Sequence, residues 1–183
     1  MLFNKSNILP AVRDLKDLDK VIKYDHEFVV LLNSHIGQLK SIIKMLHENN
    51  KKVLLHADLV QGLKSDEYGA QFLCRYIRPD GLVSTRKSVL LTAKKNKLIT
   101  VQRVFLLDSI ALESSYNMME AIQPDCIEVL PGVIPHIIQE IHENSNKPVI
   151  AGGLIRTKEE ALAAINAGAA AVTTSKSELW DLK

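Results

Sequence analysis

The chain reads as an α/β protein, a small single-domain (β/α)8 TIM-like barrel of eight parallel strands with outer helices, spanning residues 1–183. Three observations predict it. Short apolar runs rich in β-branched residues recur along the chain, as expected of parallel strands buried on both faces. Amphipathic segments with helical spacing fill the intervals. Helix start and stop signals fall where those segments begin and end. Strict alternation of strand and helix imposes a parallel sheet with helices outside it, and eight units suggest closure.

The predicted strands cover residues 8–12, 28–32, 53–57, 81–84, 99–107, 126–130, 149–152 and 170–174. Between the first two, Leu15, Leu18, Val21 and Ile22 share one helix face. After the second, Leu39, Ile42, Ile43 and Leu46 fall at i, i+3, i+4 and i+7. Val133, Ile134, Ile137, Ile138 and Ile141 suit either a helix core or a dimer face, which leaves a homo-oligomer open. Thr157 with Glu160 and Ser175 with Glu178 fit the capping box, in which two side chains satisfy free backbone donors reciprocally. Gly168 follows the helix that starts at Lys158, where a left-handed stop belongs. Spread over eight units, 183 residues allow about 23 each, below the ~200-residue lower end of such barrels. An open doubly wound sheet, or a barrel with one degenerate helix, is therefore the alternative.

Composition narrows the class. With 23 basic and 21 acidic side chains the net charge is +2, so the chain is not wrapped in nucleic-acid-binding charge, although a local basic patch is compatible with it. Cys74 and Cys126 are far apart without metal-like spacing and read as small buried residues. No disulfide framework, no apolar leader over residues 1–6 and no membrane-length apolar stretch is found. A cytoplasmic protein with no membrane partner is expected.

In a parallel barrel, function collects at the C-terminal ends of the strands. Those ends carry Arg13, Asn33, His56 with Asp58, Ser84, Asp108, Pro131-Gly132, Gly152-Gly153 and Thr174-Ser175. Gly152 and Gly153 end strand seven, and Thr174 and Ser175 end strand eight before a short helix expected to be capped by Ser175. Glycines let an anion approach backbone N–H groups, and a helix N-terminus adds donors and a positive dipole end. These four residues are the predicted phosphate-binding site. A Gly-Gly turn with ordinary capping is the bland alternative.

Arg103 and Glu128 lie among apolar neighbours on strands that should be adjacent. A buried charge is costly unless paired, so they are expected to meet each other or to reach polar ligand atoms. His56 and Asp58, two apart, should point to the same side with Asn33 facing them, for acid–base work or for binding hydroxyl groups. The remaining histidines, His26, His35, His47, His136 and His142, show no metal spacing and read as surface or loop residues. No nucleophile elbow, zinc-protease motif, Walker loop or in-strand lysine occurs, and no metal or cofactor is predicted. For nucleic acid, the candidate surface is Arg75, Arg78, Arg86, Lys87, Lys94, Lys95 and Lys97 on neighbouring helices. With aromatics at 5%, stacking platforms look few, and a solvated helical face is the competing reading.

The segments His56-Ala57-Asp58-Leu59-Val60-Gln61-Gly62-Leu63, Gly81-Leu82-Val83-Ser84-Thr85-Arg86 and Gln102-Arg103-Val104-Phe105-Leu106-Leu107-Asp108-Ser109 resemble the glycerol-3-phosphate-responsive antiterminators. So do Ile127-Glu128-Val129-Leu130-Pro131-Gly132, Ala151-Gly152-Gly153-Leu154-Ile155 and Thr174-Ser175-Lys176-Ser177-Glu178-Leu179-Trp180, in order from about Ile8 to Trp180. The resemblance implies a regulator of bacterial glycerol-uptake operons, without catalysis, that binds leader mRNA when loaded with the effector glycerol-3-phosphate. In that reading Gly152, Gly153, Thr174 and Ser175 hold the phosphate, and Asn33, His56, Asp58, Arg103 and Glu128 serve the glycerol hydroxyls. It supplies no RNA motif to carry over, so the basic face stands on spacing alone. Two other functions fit the residues. One is a TIM-barrel enzyme acting on a small phosphorylated substrate, with Asp58 or Glu128 as base and Arg103 as charge stabiliser. The other is a metabolite-binding partner of another protein.

Overall fold

Side-chain parity along each strand builds the two layers of this protein. Successive residues of a strand point to opposite faces, so each apolar run feeds two cores at once. The computed structural model describes Phe3 and residues 6–182, so the reading of residues 1–6 lies largely outside it. The strands are β1 (Ile8–Val12), β2 (Phe28–Leu31), β3 (Lys52–His56), β4 (Gly81–Ser84), β5 (Ile99–Phe105), β6 (Cys126–Leu130), β7 (Val149–Gly152) and β8 (Ala169–Thr174). Each pairs in parallel with the next, and β8 returns to β1 through Pro10 and Thr174, closing the barrel. The open sheet is excluded.

One parity class meets inside the barrel. Leu9, Ala11, Val30, Leu54, Val83, Val101, Cys126, Ile150 and Ala171 form a single apolar cluster, and Phe3 stands edge-on to Phe28 in the same cluster. The other class, including Val29, Leu31, Val53, Leu55, Ile127, Val129, Val149 and Val172, packs outward against the helices in a larger cluster. Both cysteines are buried and free, and burial pushes the Cys74 thiol up to about 11.

Among the described residues seven α-helices clothe the barrel: α1 (Leu18–Lys23), α2 (Ile36–Glu48), α3 (Glu67–Phe72), α4 (Lys87–Lys95), α5 (Ser109–Ile122), α6 (Pro135–Ser145) and α7 (Lys158–Asn166). The predicted face of α2 is buried throughout, and on α6 Ile138 and Ile141 point into the core. The Thr157–Glu160 capping box forms at α7, and Gly168 takes the left-handed conformation, φ +97°.

The eighth unit departs from the pattern. Instead of a helix capped by Ser175, β8 leads into one 3-10 turn, Ser177–Leu179, with Lys176 at its start and no side-chain cap. The hydroxyl of Thr174, not Ser175, receives a backbone N–H here, that of Lys176 at 3.1 Å. Trp180 stands where a helix face would pack. Its ring is buried, its indole N–H donates to the Thr174 carbonyl at 2.9 Å, and Tyr24 meets it edge-on. His26, expected at the surface, is buried beneath it, with Nε2 donating to the Trp180 carbonyl at 2.7 Å. One degenerate helix accounts for the short chain.

Predicted strand 99–107 stops at Phe105, because the chain turns there to bring Asp108 to the start of α5, where its carboxylate accepts the Ala111 N–H. Two further two-residue strands, Ser34–His35 and Val60–Gln61, pair beside the barrel mouth. No helix among the described residues is long and apolar enough to cross a membrane.

Candidate functional site

Parity also places the polar residues. Two positions beyond the apolar interior residues Ala11, Leu54, Val101, Cys126, Ile150 and Ala171 come Arg13, His56, Arg103, Glu128, Gly152 and Thr173. The barrel is thus plugged by hydrocarbon below and lined by polar groups towards the C-terminal mouth. A cavity of about 460 Å³ opens there, within the range of small-ligand sites. Arg13, Asn33, Arg103, Glu128, Gly153, Thr173, Thr174 and Ser175 supply its polar wall, and Leu32, Leu59, Leu130 and Leu154 its apolar one.

Arg103 and Glu128 sit directly opposite each other in the β5–β6 register. Nε and Nη2 of Arg103 both lie 2.7 Å from Glu128 Oε2, while Oε1 accepts the Thr173 hydroxyl at 2.8 Å. Both charged side chains are almost fully buried. Glu128 therefore spans from β5 to β8 and has both oxygens engaged, which fits a fixed binding wall better than a free base. Within the lining these charges cancel. Arg13 has no carboxylate in ion-pair reach among the described residues, since its neighbour Asp14 is held by Lys16. The cavity consequently carries one uncompensated positive charge beside Thr174 and Ser175.

The two glycines have separate reasons. A Cβ on Gly152 would lie 2.5 Å from Thr173 Oγ1 and 2.8 Å from Glu128 Oε1, inside the hydrogen bond that joins them. Gly153 is left-handed, φ +73°, with a Cβ position 3.1 Å from Leu130. Leu154 follows at φ +61° with its side chain exposed at the cavity rim, a strained backbone for a bulky residue.

Of the predicted set, Gly153, Thr174, Ser175, Asn33, Arg103 and Glu128 come together around the cavity, whereas Gly152, His56 and Asp58 do not line it. His56 lies deeper. It is 3% exposed, and neither ring nitrogen has a partner. Burial, and then the Arg103 charge, pull its pKa down to about 4, against a smaller opposing pull from Asp58. It is a neutral imidazole at pH 7. Asp58 turns away from it and accepts three hydrogen bonds: Ser84 Oγ at 2.6 Å, Thr85 N at 2.8 Å and Thr85 Oγ1 at 3.0 Å. The Ser84 hydroxyl in turn accepts the Arg86 N–H. Asp58 thereby ties the loop that leads to α3 to the loop that starts α4.

The seven basic residues are divided between the two ends of their helices. Arg86 and Lys87 start α4, while Lys94, Lys95 and Lys97 end it. Lys94 is committed to the end of α5, donating to the carbonyls of Ile122 and Gln123. Arg75 and Arg78 end the segment after α3. Arg13 and Thr173 are the site residues that reading strand ends left unassigned. Counting back by twos from the apolar interior finds both.

Comparison with known proteins matches this geometry to a family. Residues 8–180 match the family described as glycerol-3-phosphate responsive antiterminator. The curated, uncharacterised Escherichia coli K12 protein YgcP is 33% identical over 181 residues, covering 99% of this chain and 95% of that protein. The structure of a glycerol uptake operon antiterminator regulatory protein from Listeria monocytogenes superposes with a TM-score of 0.97 at 44% identity, covering 100% and 99% of the two chains. A glycerol uptake operon antiterminator-related protein from Thermotoga maritima follows, with a TM-score of 0.85, 32% identity and coverage of 97% and 99%. With a family match over nearly its whole length, this chain belongs to the glycerol-3-phosphate responsive antiterminators.

Proposed function

We propose that the protein is a glycerol-3-phosphate-gated regulator that binds the leader mRNA of glycerol-utilisation operons in the cytoplasm and performs no catalysis. The observation that carries the ligand half is the charge balance of the mouth cavity, where Arg103 and Glu128 neutralise each other and Arg13 is left over. The phosphate of the ligand lies at the Arg13 end, against Ser175, Thr174 and the Gly153 turn. The glycerol hydroxyls lie towards Asn33, Glu128 and Arg103. Gly152 and Asp58 support this arrangement from behind the wall, and His56 offers a neutral ring beneath it. The RNA half rests on family membership. For the ligand to gate RNA binding it must bind the RNA-competent state more tightly than the other, because equal affinity shifts nothing.

The test is calorimetric titration with glycerol-3-phosphate, glycerol and inorganic phosphate against wild type, Arg13→Ala and Ser175→Asp. Ser175 is exposed at the rim, so its replacement adds a negative charge with little strain. Glycerol-3-phosphate should bind wild type selectively and lose at least tenfold in affinity in either variant. Equal binding by all three proteins, or none by folded wild type, sinks the ligand assignment.

A further inference from the structure

Of the chain's nine aromatic side chains (4 Phe, 4 Tyr and 1 Trp), three fall on one face of one helical segment. Helix α3 runs directly into a π-helical turn, Leu73–Ile77, which Arg78 ends in the left-handed conformation, φ 59°. Tyr68, Phe72 and Tyr76 are spaced i, i+4 and i+8 along it and so share a face. Tyr68 is 79% and Tyr76 66% exposed, and the Phe72 and Tyr76 rings stack at 5.5 Å with 25° between their planes. The opposite face is anchored by buried Ala70, Leu73, Cys74 and Ile77, so Tyr68 and Tyr76 are presented outward, with Phe72 half-buried against the core between them. π-Turns inside helices concentrate at functional sites.

Charge surrounds these rings. Arg75 and Arg78 flank Tyr76, and Arg78 Nε donates to the Arg75 carbonyl at 2.9 Å. The Arg75 guanidinium has no carboxylate in ion-pair reach among the described residues. At the other end the acidic groups are engaged. Asp66 caps the helix through Gly69 N, and Glu67 accepts from Gln71. No exposed aliphatic side chain stands on this segment: Leu59, Leu107, Ile110, Leu154 and Leu162 all lie on other elements.

We infer that this face binds single-stranded RNA, bases stacking on Tyr76 and Tyr68 and phosphates lying against Arg75 and Arg78. Tyr68 and Tyr76 lie two helical turns apart, about 12 Å along the axis, a span that two steps of an extended, unstacked strand can cover. Stacking is tolerant of sequence, and guanidinium groups supply the attraction to phosphate. The surface also has a physical link to the mouth: the loop after β3 carries Leu59 at the cavity rim and ends at Asp66, the cap of α3. The inference rests on the RNA reading of the preceding section.

Fluorescence anisotropy tests it, using a labelled 20-nucleotide RNA of randomised sequence and protein saturated with glycerol-3-phosphate. Tyr76→Ala should weaken binding about tenfold, Tyr68→Ala several-fold, and Tyr76→Phe should bind like wild type because the ring face is kept. Arg75→Ala should lower the slope of log K against log salt by roughly 0.7. Circular dichroism and the calorimetric affinity for glycerol-3-phosphate should stay unchanged in all four, since these side chains are exposed. If wild type binds RNA and both Tyr→Ala variants bind equally well, the surface lies elsewhere while the RNA reading stands. If wild type binds glycerol-3-phosphate but no RNA, the RNA reading fails and takes this surface with it. If Tyr76→Ala instead abolishes self-association in sedimentation without changing RNA affinity, the face joins copies of this chain and the inference is overturned.

Discussion

Arg103 and Glu128 show how much one buried contact can weigh. Their strands are adjacent and their register is direct, so neither can leave the barrel wall without unpairing the other. Glu128→Gln removes the counter-charge and leaves Arg103 buried alone, a loss on the order of 3–5 kcal/mol. Replacing both, as Arg103→Met with Glu128→Leu, should recover a large part of that loss while abolishing ligand binding. Urea unfolding of the three variants, with calorimetry of the double variant, checks this. His56 gives a pH prediction of definite sign. Its native pKa, about 4, lies below the ordinary value near 6.5, so between those values the unfolded chain binds more protons than the folded one. Stability from this group is complete above about pH 6.5 and falls as the pH is lowered towards 4, by about 3 kcal/mol in all. His56→Gln should flatten that part of the pH profile of urea unfolding, and an unchanged slope would mean that His56 is not buried neutral.

At the scale of elements, two ties replace what a regular eight-unit barrel would supply by repetition. Trp180 substitutes for an eighth helix, holding the β8 end through the Thr174 carbonyl and covering His26. Trp180→Ala should cost about 3–5 kcal/mol. It should also weaken glycerol-3-phosphate binding, because Thr174 and Ser175 lose their support. Thermal melting and calorimetry read the two effects. Asp58 ties the approaches to α3 and α4 through three hydrogen bonds. Hydrogen bonds to a charged group contribute about 1.5–3 kcal/mol each when buried, so Asp58→Ala should destabilise by a few kcal/mol. Hydrogen exchange should rise first at the starts of those two helices, and uniform exchange would argue against a local tie.

For the whole molecule, the barrel converts a ligand at its mouth into global stability, since seven of its eight strand-and-loop units contribute to the wall that encloses it. At a hundredfold excess over Kd, glycerol-3-phosphate should add about 2.7 kcal/mol, a rise in Tm of roughly 5–10 °C for a domain of this size. Glycerol at the same concentration should leave Tm unchanged, because it offers nothing to Arg13. A calorimetric scan with each compound reads this directly.

The strand–helix order, the face of α2, the α7 capping box and the meeting of Arg103 with Glu128 were legible in the residues alone. Each is set by near neighbours or by a parity of two along a strand, and such patterns survive in one dimension. Arg13 and Thr173 were legible by the same parity but lay outside the motifs. What only the tertiary structure decided were the partners between elements that alternation does not order. Ser175 caps no helix, because Trp180, folded against Tyr24 and above His26, leaves room for just one 3-10 turn. Asp58 turned from His56 to Ser84 and Thr85 because a hydroxyl and an N–H of the next unit lay within reach. The aromatic face of α3 appeared only once the buried side of that helix was known. A sequence states which groups need partners, and the closed barrel determines which partners are near enough to take.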